Sequence, residues 1–581
     1  MKSMKYTEIL KSNRELKTQL RGEKYQIVLL SNIVVNQLKE VLEFALRQMG
    51  INADVSIGEY DNIVQDSSRY VQADAVVVFW EAGNLVEGLH STITLYNSHS
   101  IVALADRFES EIEIVLKNLR HVPLVLVNSF SSLLFGTDEL RSGALKLLCK
   151  RLNEALENRA TPNQLIVDLT AILARVGLGA AADFRQFLTS KALYSVDFFK
   201  MYAEVVKGSF CSVTGRARKV LVLDCDNTLW AGILGEDGEE GIQMDTTSYK
   251  GRVFREVQQI LKGFRRKGIL LALCSKNNSE DVERILATHP DIVLAEEDLV
   301  AKKVNWNNKA ANIRELADEL NLGTDSFVFV DDSSFEIGLV EKELPQVKCI
   351  QVPEILSEYP AKMREVERDF FLLSQTAEDG LKTEQYHQEH LRKSHGVKFD
   401  TINDYLTSLG LNVNIIFGKG IPIHRVSQMT QKTNQFNLTT RRYTEGDIQR
   451  MLKTPDCWIY VFSVEDRYGD YGHTGMAIIE KEQDELHTAR ISSLLMSCRV
   501  IGRNVEYAFF DRLVERLSQA GIKTLRAEYI RTAKNEQVSL FYNELGFNVV
   551  TSNDTQSNYD IKLDTYQYRN ISYINVTEKD N

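Results

Sequence analysis

The sequence lacks several features that mark other classes of protein. It has only 8 prolines in 581 residues, so long proline-rich linkers are excluded. Its 7 cysteines form no CxxC pair, and an odd, dispersed set indicates reduced thiols rather than a disulfide framework. No run approaches the ~20 apolar residues that cross a bilayer, and the first residues lack the apolar core of a signal peptide. We therefore expect a cytoplasmic protein that does not contact membranes.

Basic residues are fewer than acidic ones, with 69 Lys and Arg against 80 Asp and Glu. The formal net charge is −11, which excludes a broad electrostatic affinity for nucleic acid. Hydrophobic residues make up 44% and charged residues 26%, as in ordinary globular proteins. At roughly 150 residues per domain, the length predicts about three or four domains.

Apolar runs alternate with amphipathic stretches along most of the chain. In residues 1–212 they predict strands at 25–30, 53–58, 73–80 and 123–130 and helices at 34–49 and 110–119. Residues 213–358 repeat the pattern, with strands at 220–226, 269–275, 291–296 and 326–332 and helices at 251–267, 279–288 and 309–320. Alternating strands and helices predict doubly wound parallel sheets, so the fold class is multidomain α/β.

The remaining sequence differs in character. Residues 359–395 are highly charged and predict a solvated helical connector. Residues 396–581 predict an α+β domain, with helices at 400–409, 425–436, 504–519 and 537–545, strands at 457–466, 473–482, 488–497 and 524–530, and one closing strand after the last helix. We expect four segments with limits 1–212, 213–358, 359–395 and 396–581.

Polar side chains follow the predicted strands of the second part. They are Asp224, Asp226, Thr228, Ser275, Lys309, Asp331 and Asp332. In open α/β sheets, ligands bind outside the carboxyl ends of the strands. Carboxylates crowded there repel one another unless a cation joins them, and oxygen ligands suit Mg²⁺. One carboxylate can attack phosphorus and a second can move protons, while a hydroxyl and an ammonium hold phosphoryl oxygens.

The acids of this set resemble those of the haloacid-dehalogenase (HAD) superfamily, whose four motifs occur here in order. The resemblance implies that Asp224 is the nucleophile and an Mg²⁺ ligand. It implies that Asp226 is the general acid and base and gives its backbone carbonyl to the metal. Thr228 is expected to support Asp224.

The later motifs have equally defined roles in that superfamily. The resemblance implies that Ser275 and Lys309 bind the phosphoryl group and that Asp331, with Asp332, completes the metal site. Residues 230–251 leave room for a short hairpin flap but not for a large cap domain. We therefore expect an open site, which suits a large substrate or a partner domain that closes over it.

Four longer segments are similar to the FkbH-like family: residues 220–238, 432–444, 466–477 and 494–510. Its members join an SGNH-hydrolase-like domain, a HAD domain and an acetyltransferase-like (GNAT) domain. The resemblance implies a phosphorylated three-carbon donor such as 1,3-bisphosphoglycerate, release of phosphate, and transfer of the glyceryl group to the thiol of an acyl carrier protein in polyketide-type biosynthesis. The acid, the carrier and the oligomeric state stay open.

The C-terminal part also resembles the GNAT pyrophosphate loop, R/Q-x-x-G-x-G/A. Arg499 and Gly502 match it, whereas Asn504 replaces the last small residue; Asn535, before FYNELGF, resembles the closing GNAT motif. Backbone N–H groups at such a helix start bind phosphate. We expect this domain to hold the phosphopantetheine arm of a carrier protein. A glycine turn that only packs a helix on a sheet is the alternative.

An acyl relay needs a thiol, and two cysteines are candidates. Cys225 lies between the motif acids, and Cys498 adjoins the loop described above. Side chains alternate along a strand, so Cys225 is expected to point into packing, and neighbouring carboxylates raise the pKa of a thiol. Cys225 is slightly favoured because it lies at the chemical centre.

Several basic residues could dock an acidic carrier protein: Arg216, Arg218, Lys219, Lys302, Lys303, Lys432, Arg441 and Arg442. Solvated surface charge is the alternative for all of them. Among the histidines, His387 and His390 stand three residues apart in the charged connector and are expected to be solvated, as is His395. His473 lies in a glycine-rich turn and is a candidate for acyl transfer.

The first part carries few signs of a hydrolase site. Ser31 follows the first strand, where a nucleophile is expected, and Asn128 follows another strand as an oxyanion candidate. There is no GDS motif, and Asp183 has no histidine three residues later. We therefore predict a degenerate SGNH-like domain used for recognition or assembly.

Three functions stay open from the sequence. The first is an enzyme that loads a phosphorylated small acid onto a carrier-protein thiol. The second is a stand-alone phosphatase whose GNAT-like domain performs a separate acylation. The third is a carrier-recruiting scaffold without activity, against which the intact set of acids argues.

Overall fold

The computed structural model describes residues 4–136, 143–371, 383–386, 388, 392, 399, 401–532 and 534–580. Within these residues the chain forms two compact units, Met1–Thr214 and Gly215–Asn581, and three β-sheets. The multidomain α/β class is confirmed, whereas the four segment limits stay a prediction. Most of the predicted connector after residue 371, with His387, His390 and His395, lies outside the described residues.

The first unit is built on a five-stranded parallel sheet with the order β2-β1-β3-β4-β5. Every residue of β3 is buried, as expected for a parallel strand covered on both faces. The strands are β1 (Tyr25–Ser31), β2 (Ala53–Ile57), β3 (Ala75–Phe79), β4 (Leu124–Asn128) and β5 (Gln164–Val167). The four predicted strands are therefore found, and β5 was missed.

The helices of this unit flank its sheet. They are α1 (Tyr6–Gln19), α2 (Asn36–Arg47), α3 (Ile63–Arg69), α4 (Leu89–Thr92), α5 (Ser98–Asn118), α6 (Ala144–Arg159), α7 (Leu169–Val176), α8 (Leu178–Ala181), α9 (Phe184–Ser190) and α10 (Val196–Val213). The helix predicted at 110–119 is the second half of α5. No described helix in either unit combines the length and apolarity needed to cross a bilayer.

The second unit begins with another five-stranded parallel sheet, with the order β10-β9-β6-β7-β8. Its strands are β6 (Val220–Leu223), β7 (Leu270–Ser275), β8 (Leu299–Val304), β9 (Phe327–Asp331) and β10 (Lys348–Gln351). Its helices are α11 (Leu234–Gly241), α12 (Tyr249–Arg266), α13 (Ser279–Thr288), α14 (Lys309–Leu320), α15 (Ser334–Glu343) and α16 (Tyr359–Val366). Strands β6 and β9 are fully buried neighbours, so their carboxyl ends form the middle of one sheet edge.

The strand predicted at 291–296 is wrong. That run forms a turn, and Glu296–Asp298 forms one turn of 3-10 helix. The strand is β8, which pairs with β7 and lies at the edge of the sheet, where only its first three residues are buried. An edge strand tolerates polar residues such as Lys302 and Lys303, so its apolar signal is weak.

The flap after Asp226 is also not a two-stranded hairpin. One antiparallel bridge joins Ala231 and Gln243. Helix α11 lies between them and is interrupted at Gly238, whose φ of 69° is in the left-handed region. The flap remains short, and no cap domain is inserted there.

The third sheet has nine strands, mostly antiparallel, with the order β17-β18-β16-β15-β14-β13-β11-β19 and β12 paired with β15. The strands are β11 (Leu411–Phe417), β12 (Phe436–Asn437), β13 (Cys457–Asp466), β14 (Gly469–Lys481), β15 (Thr488–Met496), β16 (Thr524–Ile530), β17 (Asn548–Ser552), β18 (Gln556–Lys562) and β19 (Ile574–Asp580). The sequence analysis missed β11 and β12 and predicted one closing strand where three form.

The helices of this part are α17 (Ile402–Leu409), α18 (Ile423–Lys432), α19 (Glu445–Met451), α20 (Val505–Gln519) and α21 (Phe541–Glu544). The helix predicted at 537–545 is thus reduced to one short turn of α-helix. Strands β15 and β16 pair only between residues 488–490 and 524–526. Beyond that point β12 pairs with β15 instead.

Candidate active site

Three carboxylates meet at the carboxyl edge of the second sheet. Asp224 follows β6, Asp331 ends β9 and Asp332 comes next; one oxygen of each lies within 4.8 Å of the others. The backbone N–H of Asp224 donates to the carbonyl of Val330 at 3.0 Å, which fixes the two strand ends together. Asp224 and Asp331 are buried and Asp332 is half-buried. The structure therefore brings together these three predicted residues.

Lys309 is held between two of these acids. Its Nζ lies 2.8 Å from Oδ1 of Asp224 and 2.6 Å from Oδ2 of Asp331. The side chain is buried at the start of α14. Burial alone lowers the pKa of an ammonium group, but the charges of Asp224 and Asp331 raise the pKa of Lys309 above its usual value. Lys309 therefore stays protonated.

One ammonium does not balance three carboxylates. Burial raises the pKa of Asp224 to about 6, although Lys309 acts to lower it, and repulsion from Asp331 adds to the rise. Burial also raises the pKa values of Asp331 and Asp332. The cluster thus has excess negative charge and several oxygen ligands, which is the donor set that suits a hard divalent cation.

Both carboxylate oxygens of Asp226 accept hydrogen bonds. Its Oδ1 accepts hydrogen bonds from Trp230 Nε1 at 2.9 Å and from the backbone N–H of Leu234 at 3.1 Å. Its Oδ2 accepts one from Asn277 Nδ2 at 2.9 Å, and Asn277 Nδ2 also lies 3.2 Å from Ser275 Oγ. The sequence analysis gave no role to Trp230 or Asn277. For Asn277 the available signal was its position two residues after the motif serine.

The two hydroxyl residues lie deep in this site. Ser275 is buried and hydrogen-bonds to Asp224. Thr228 is fully buried, and its Oγ1 has no hydrogen-bond partner among the described residues. The Thr228 carbonyl accepts a hydrogen bond from the hydroxyl of Tyr359 at 3.2 Å. Ser275 is thus placed to contact a phosphoryl oxygen, whereas Thr228 packs beneath the site.

The two cysteines have different environments. Cys225 is fully buried in the core, and burial, followed by repulsion from Asp224, raises the pKa of its thiol well above the usual value. Cys498 is half-buried and packs against the hydrophobic core of the second sheet. A thiol that stays protonated is a poor nucleophile, so this environment does not favour Cys225, and the choice between the two cysteines stays a prediction.

The third sheet contacts the amino edge of the second sheet, opposite Asp224. Asn321, just after α14, donates to the carbonyl of Cys498 at 3.4 Å. Lys534 pairs with Asp325, which lies before β9. Since α14 has 12 residues, its two ends are about 18 Å apart. Cys498 is therefore remote from the carboxylates.

Most of the basic docking candidates have partners within the chain. Lys302 and Lys303 pair with glutamates of neighbouring helices and loops, and Arg441 pairs with Glu528 at 2.7 Å. Arg218 and Arg442 donate to backbone carbonyls. The remaining candidates, Arg216, Lys219 and Lys432, are engaged as well. Docking through these residues stays a prediction.

The predicted GNAT-like loop has an unusual backbone. Gly502 and Asn504 both have positive φ, 82° and 63°. Asn504 Nδ2 donates to the hydroxyl of Tyr573 at 2.6 Å. Asn535, predicted to bind a cofactor, is fully buried, and its Nδ2 donates to the carbonyls of Asn437 and Ile530. Its amide therefore joins backbone segments and does not face a ligand.

In the first unit the side chains of the predicted hydrolase residues form hydrogen bonds with backbone groups. Ser31 Oγ donates to the carbonyl of Phe79 at 3.0 Å. Asn128 accepts from the N–H of Trp80 at 2.9 Å and donates to its carbonyl at 2.7 Å. Asp183 caps α9. These contacts agree with the predicted loss of catalysis, while the SGNH-like assignment stays a prediction.

Five large apolar side chains are exposed on the carboxyl side of the second sheet, the side on which the carboxylates lie. Within residues 215–371 they are the exposed large hydrophobics, and each follows a strand or flap at the carboxyl edge: Ile233, Tyr249, Trp306, Phe335 and Ile355. We call this set the apolar rim. Trp306 is 74% and Phe335 71% exposed. Exposed apolar patches of this kind mark interaction surfaces.

A solved structure is similar to much of this chain. The N-terminal part of the protein BF1531 from Bacteroides fragilis, which contains a phosphatase domain and is in complex with Mg, is 25% identical, with a TM-score of 0.57. The similarity covers 64% of this chain and 100% of that one. The two chains share a fold over the part of this chain that the similarity covers.

Acetyltransferase structures match the chain much more weakly. The ribosomal-protein-S18-alanine N-acetyltransferase from Escherichia coli is 16% identical over 26% of this chain and 94% of that one, with a TM-score of 0.21. Ard1 from Thermoplasma volcanium is 17% identical over 26% and 97%, also with a TM-score of 0.21. Similarities this low assign no fold, so the GNAT-like domain stays a prediction. No protein-family model and no curated protein matches the sequence.

Proposed function

We propose that this chain is an Mg²⁺-dependent phosphatase and acyltransferase with Asp224 as its phosphoryl-accepting nucleophile. Its substrate is a small phosphorylated acid, and the acyl group passes to the phosphopantetheine thiol of an acyl carrier protein. The proposal rests mainly on the cluster of Asp224, Asp331 and Asp332 around Lys309. The similarity to BF1531, a phosphatase-containing protein in complex with Mg, and the FkbH-like motifs support the proposal.

The phosphatase step uses the residues at the sheet edge. A carboxylate oxygen of Asp224 attacks phosphorus while the bond to the leaving oxygen breaks, and Asp226 protonates that oxygen. Asp226 then takes a proton from the water that hydrolyses the aspartyl phosphate. Lys309 and Ser275 hold the phosphoryl oxygens. Asp224, Asp331 and Asp332, with the Asp226 carbonyl, would hold Mg²⁺, which would supply positive charge to offset that of the phosphate.

The acyl step is assigned to the carrier's own thiol. Cys225 is buried, and Cys498 contacts the opposite edge of the sheet from Asp224. Neither cysteine is placed to carry the acyl group from the donor to the carrier. The carrier thiolate attacks the acyl carbon of 1,3-bisphosphoglycerate, and the acyl phosphate leaves as the thioester bond forms. Asp224 takes the other phosphoryl group, that of the phosphate ester, so the acyl group stays activated until the thiolate attacks. The apolar rim supports the docking of a macromolecule on the carboxyl side of the second sheet.

The test is incubation with 1,3-bisphosphoglycerate, Mg²⁺ and a holo-carrier protein, followed by intact-mass analysis. We expect phosphate release and a glyceryl adduct on the carrier, with no adduct on this chain. Cys225→Ala and Cys498→Ala are the matched variants for the relay. A glyceryl adduct on Cys225 or Cys498 of the wild-type chain would show that this cysteine carries the acyl group.

Asp224→Asn tests the nucleophile directly. The change keeps the size of the side chain but removes the attacking oxygen, so phosphate release should fall by at least about 100-fold. A variant with unchanged turnover and an unchanged melting temperature would defeat the assignment.

A second candidate function is a phosphatase with a separate activity in the third sheet. The observation that favours it is the contact of that sheet with the amino edge, remote from Asp224. Release of phosphate from small phosphate esters at the same rate with and without a carrier protein would favour this function.

A further inference from the structure

Strand β12 leads into a gap of the third sheet, between two strands that run in parallel. Strands β15 and β16 pair only at residues 488–490 and 524–526. Farther along, the N–H of Leu438, the residue after β12, donates to the carbonyl of Leu494 in β15 at 3.1 Å. The carbonyl of Leu438 accepts a hydrogen bond from the N–H of Ile530 in β16 at 2.8 Å. The backbone of the chain itself therefore bridges the two strands where they are no longer paired.

The bridging residues belong to the core. We call residues 436–439 the inserted segment, and all four are buried. Asn535 Nδ2 donates to the carbonyl of Asn437 at 2.9 Å, and Thr439 Oγ1 donates to the carbonyl of Ser492 at 3.1 Å. A ligand could take this place only if these hydrogen bonds were broken and the apolar side chains were exposed to water. The inserted segment is therefore a fixed part of the sheet.

The position of the inserted segment matters for the loop that the sequence predicts to bind phosphate. That loop, residues 499–504, follows β15 and precedes α20. A phosphopantetheine arm that is bound there by its phosphate and extends along β15 needs a free strand edge for its amide groups. One edge of β15 pairs with β14. The other edge pairs first with β16 and then with the inserted segment, so along the described part of the sheet both edges of β15 are taken.

A carboxylate of the chain lies at the phosphate end of the same place. Glu506 is the second residue of α20, and it hydrogen-bonds to its own backbone N–H. Its Oε2 atom is enclosed and has no hydrogen-bond partner among the residues that the structure describes. Burial raises the pKa of Glu506 to about 7, so the side chain is charged above that pH. The start of a helix attracts an anion through its N–H groups, and Glu506 already supplies that charge.

We propose that the third sheet takes up neither coenzyme A nor the phosphopantetheine arm of a carrier protein, because groups of the chain itself hold both places. The inserted segment lies where the arm would pair with β15, and the Glu506 carboxylate lies where the phosphate would bind. The proposal differs from the expectation that the resemblance of the loop raised. It does not rest on the phosphatase proposal.

Titration of the full chain with coenzyme A at pH 8 tests the proposal, because coenzyme A carries both the pyrophosphate and the arm. We expect no binding to the third sheet with a Kd below about 1 mM. Hydrogen exchange measured with and without coenzyme A locates any binding that occurs. Slower exchange in residues 436–439 or 499–506 on addition of coenzyme A would overturn the proposal. Binding that leaves both segments unchanged lies elsewhere and agrees with it.

Hydrogen exchange without a ligand tests whether the inserted segment is fixed. We expect residues 436–439 to exchange as slowly as β14, which pairs with the other edge of β15, since both should open only when the sheet unfolds. Faster exchange of the inserted segment alone would make it a displaceable lid and would contradict the proposal.

Glu506→Ala removes the carboxylate from the start of α20. We expect this variant to bind inorganic pyrophosphate at least about tenfold more tightly than the wild-type chain, because the helix N–H groups are then free of an anion. Glu515→Ala is the control, because Glu515 lies later on the same helix and pairs with Arg512, and it should bind as the wild-type chain does. Equal affinity of Glu506→Ala and the wild-type chain would show that Glu506 does not exclude phosphate, which overturns the proposal.

Discussion

Lys309 shows how one side chain sets the state of the carboxylate cluster. Its ammonium group contacts Asp224 and Asp331 and is buried with them. In an environment that excludes water, removal of one member of an ion pair costs more than the pair itself contributes, because the remaining charges stay buried. Lys309 therefore stabilises the metal-free protein as well as holding a phosphoryl group.

Lys309→Met should reveal both roles. Without Mg²⁺ we expect a loss of about 3 kcal/mol in the free energy of unfolding, since three carboxylates then repel one another. Addition of Mg²⁺ should restore more stability to the variant than to the wild-type chain. Thermal melting with and without Mg²⁺ measures the difference. Lys302→Met, which removes surface pairs with Glu283 and Glu296, is the control and should show neither effect.

At the scale of secondary-structure elements, the end of β3 holds a buried acid. Glu81 is 1% exposed, and its Oε2 accepts a hydrogen bond from Tyr194, just before α10, at 2.5 Å. Its Oε1 accepts from the N–H of Gly83 at 3.0 Å. Burial raises the pKa of Glu81 to about 7 despite these hydrogen bonds. Burial thus favours the protonated form of Glu81, whereas the hydrogen bonds that it accepts favour the carboxylate.

This shift predicts a pH dependence of stability for the first unit. The folded state binds the Glu81 proton more tightly than the unfolded state, whose pKa is near 4.5. Stability from this group is therefore full below pH 4.5 and is lost as the pH rises to about 7, on the order of 3 kcal/mol. Glu81→Gln should flatten the curve. Urea unfolding of both proteins across this range is the measurement, and parallel curves would contradict the assignment.

At the scale of the whole molecule, the exposed surface at the carboxyl edge and the paired basic residues point to one mode of partner binding. The apolar rim lies on the same side of the second sheet as Asp224, whereas Arg441, Lys302 and Lys303 are already paired with acids. Apolar contacts are insensitive to salt, whereas contacts between exposed charges are screened. Recognition of a carrier protein should therefore depend on the rim.

Trp306→Ser with Phe335→Ser tests this surface. Loss of two aromatic anchors should lower kcat/KM with a carrier protein about 100-fold. Turnover of p-nitrophenyl phosphate, which is too small to reach the rim, should change less than about twofold. Leu486→Ser, at an exposed leucine of the third sheet, is the control. An equal loss with both substrates would show damage to the site itself.

The salt dependence of kcat/KM distinguishes docking through the apolar rim from docking through the basic residues. If the rim carries recognition, kcat/KM with the carrier should change little between about 50 and 500 mM NaCl. A steep fall over that range would assign docking to the basic residues instead.

Local sequence was sufficient to predict that the acids of the site lie together at one edge of the second sheet. The runs before Asp224, Ser275 and Asp331 are apolar enough to form buried strands, and parallel strands bring their carboxyl ends to one edge. Strands far apart along the chain thus bring their polar ends together, because all of them are parallel. Edge strand β8 was misplaced because its exposed face permits polar residues and removes the pattern.

The sequence by itself determined the parallel sheets and the chemistry at the edge of the second one, because strand formation and side-chain type are encoded locally. Only the tertiary structure decided which groups touch. It placed Asn277 on Asp226, used the amide of Asn535 to join backbone segments, and put Cys498 at the edge opposite Asp224. These outcomes depend on contacts between residues distant in sequence, which no local pattern records.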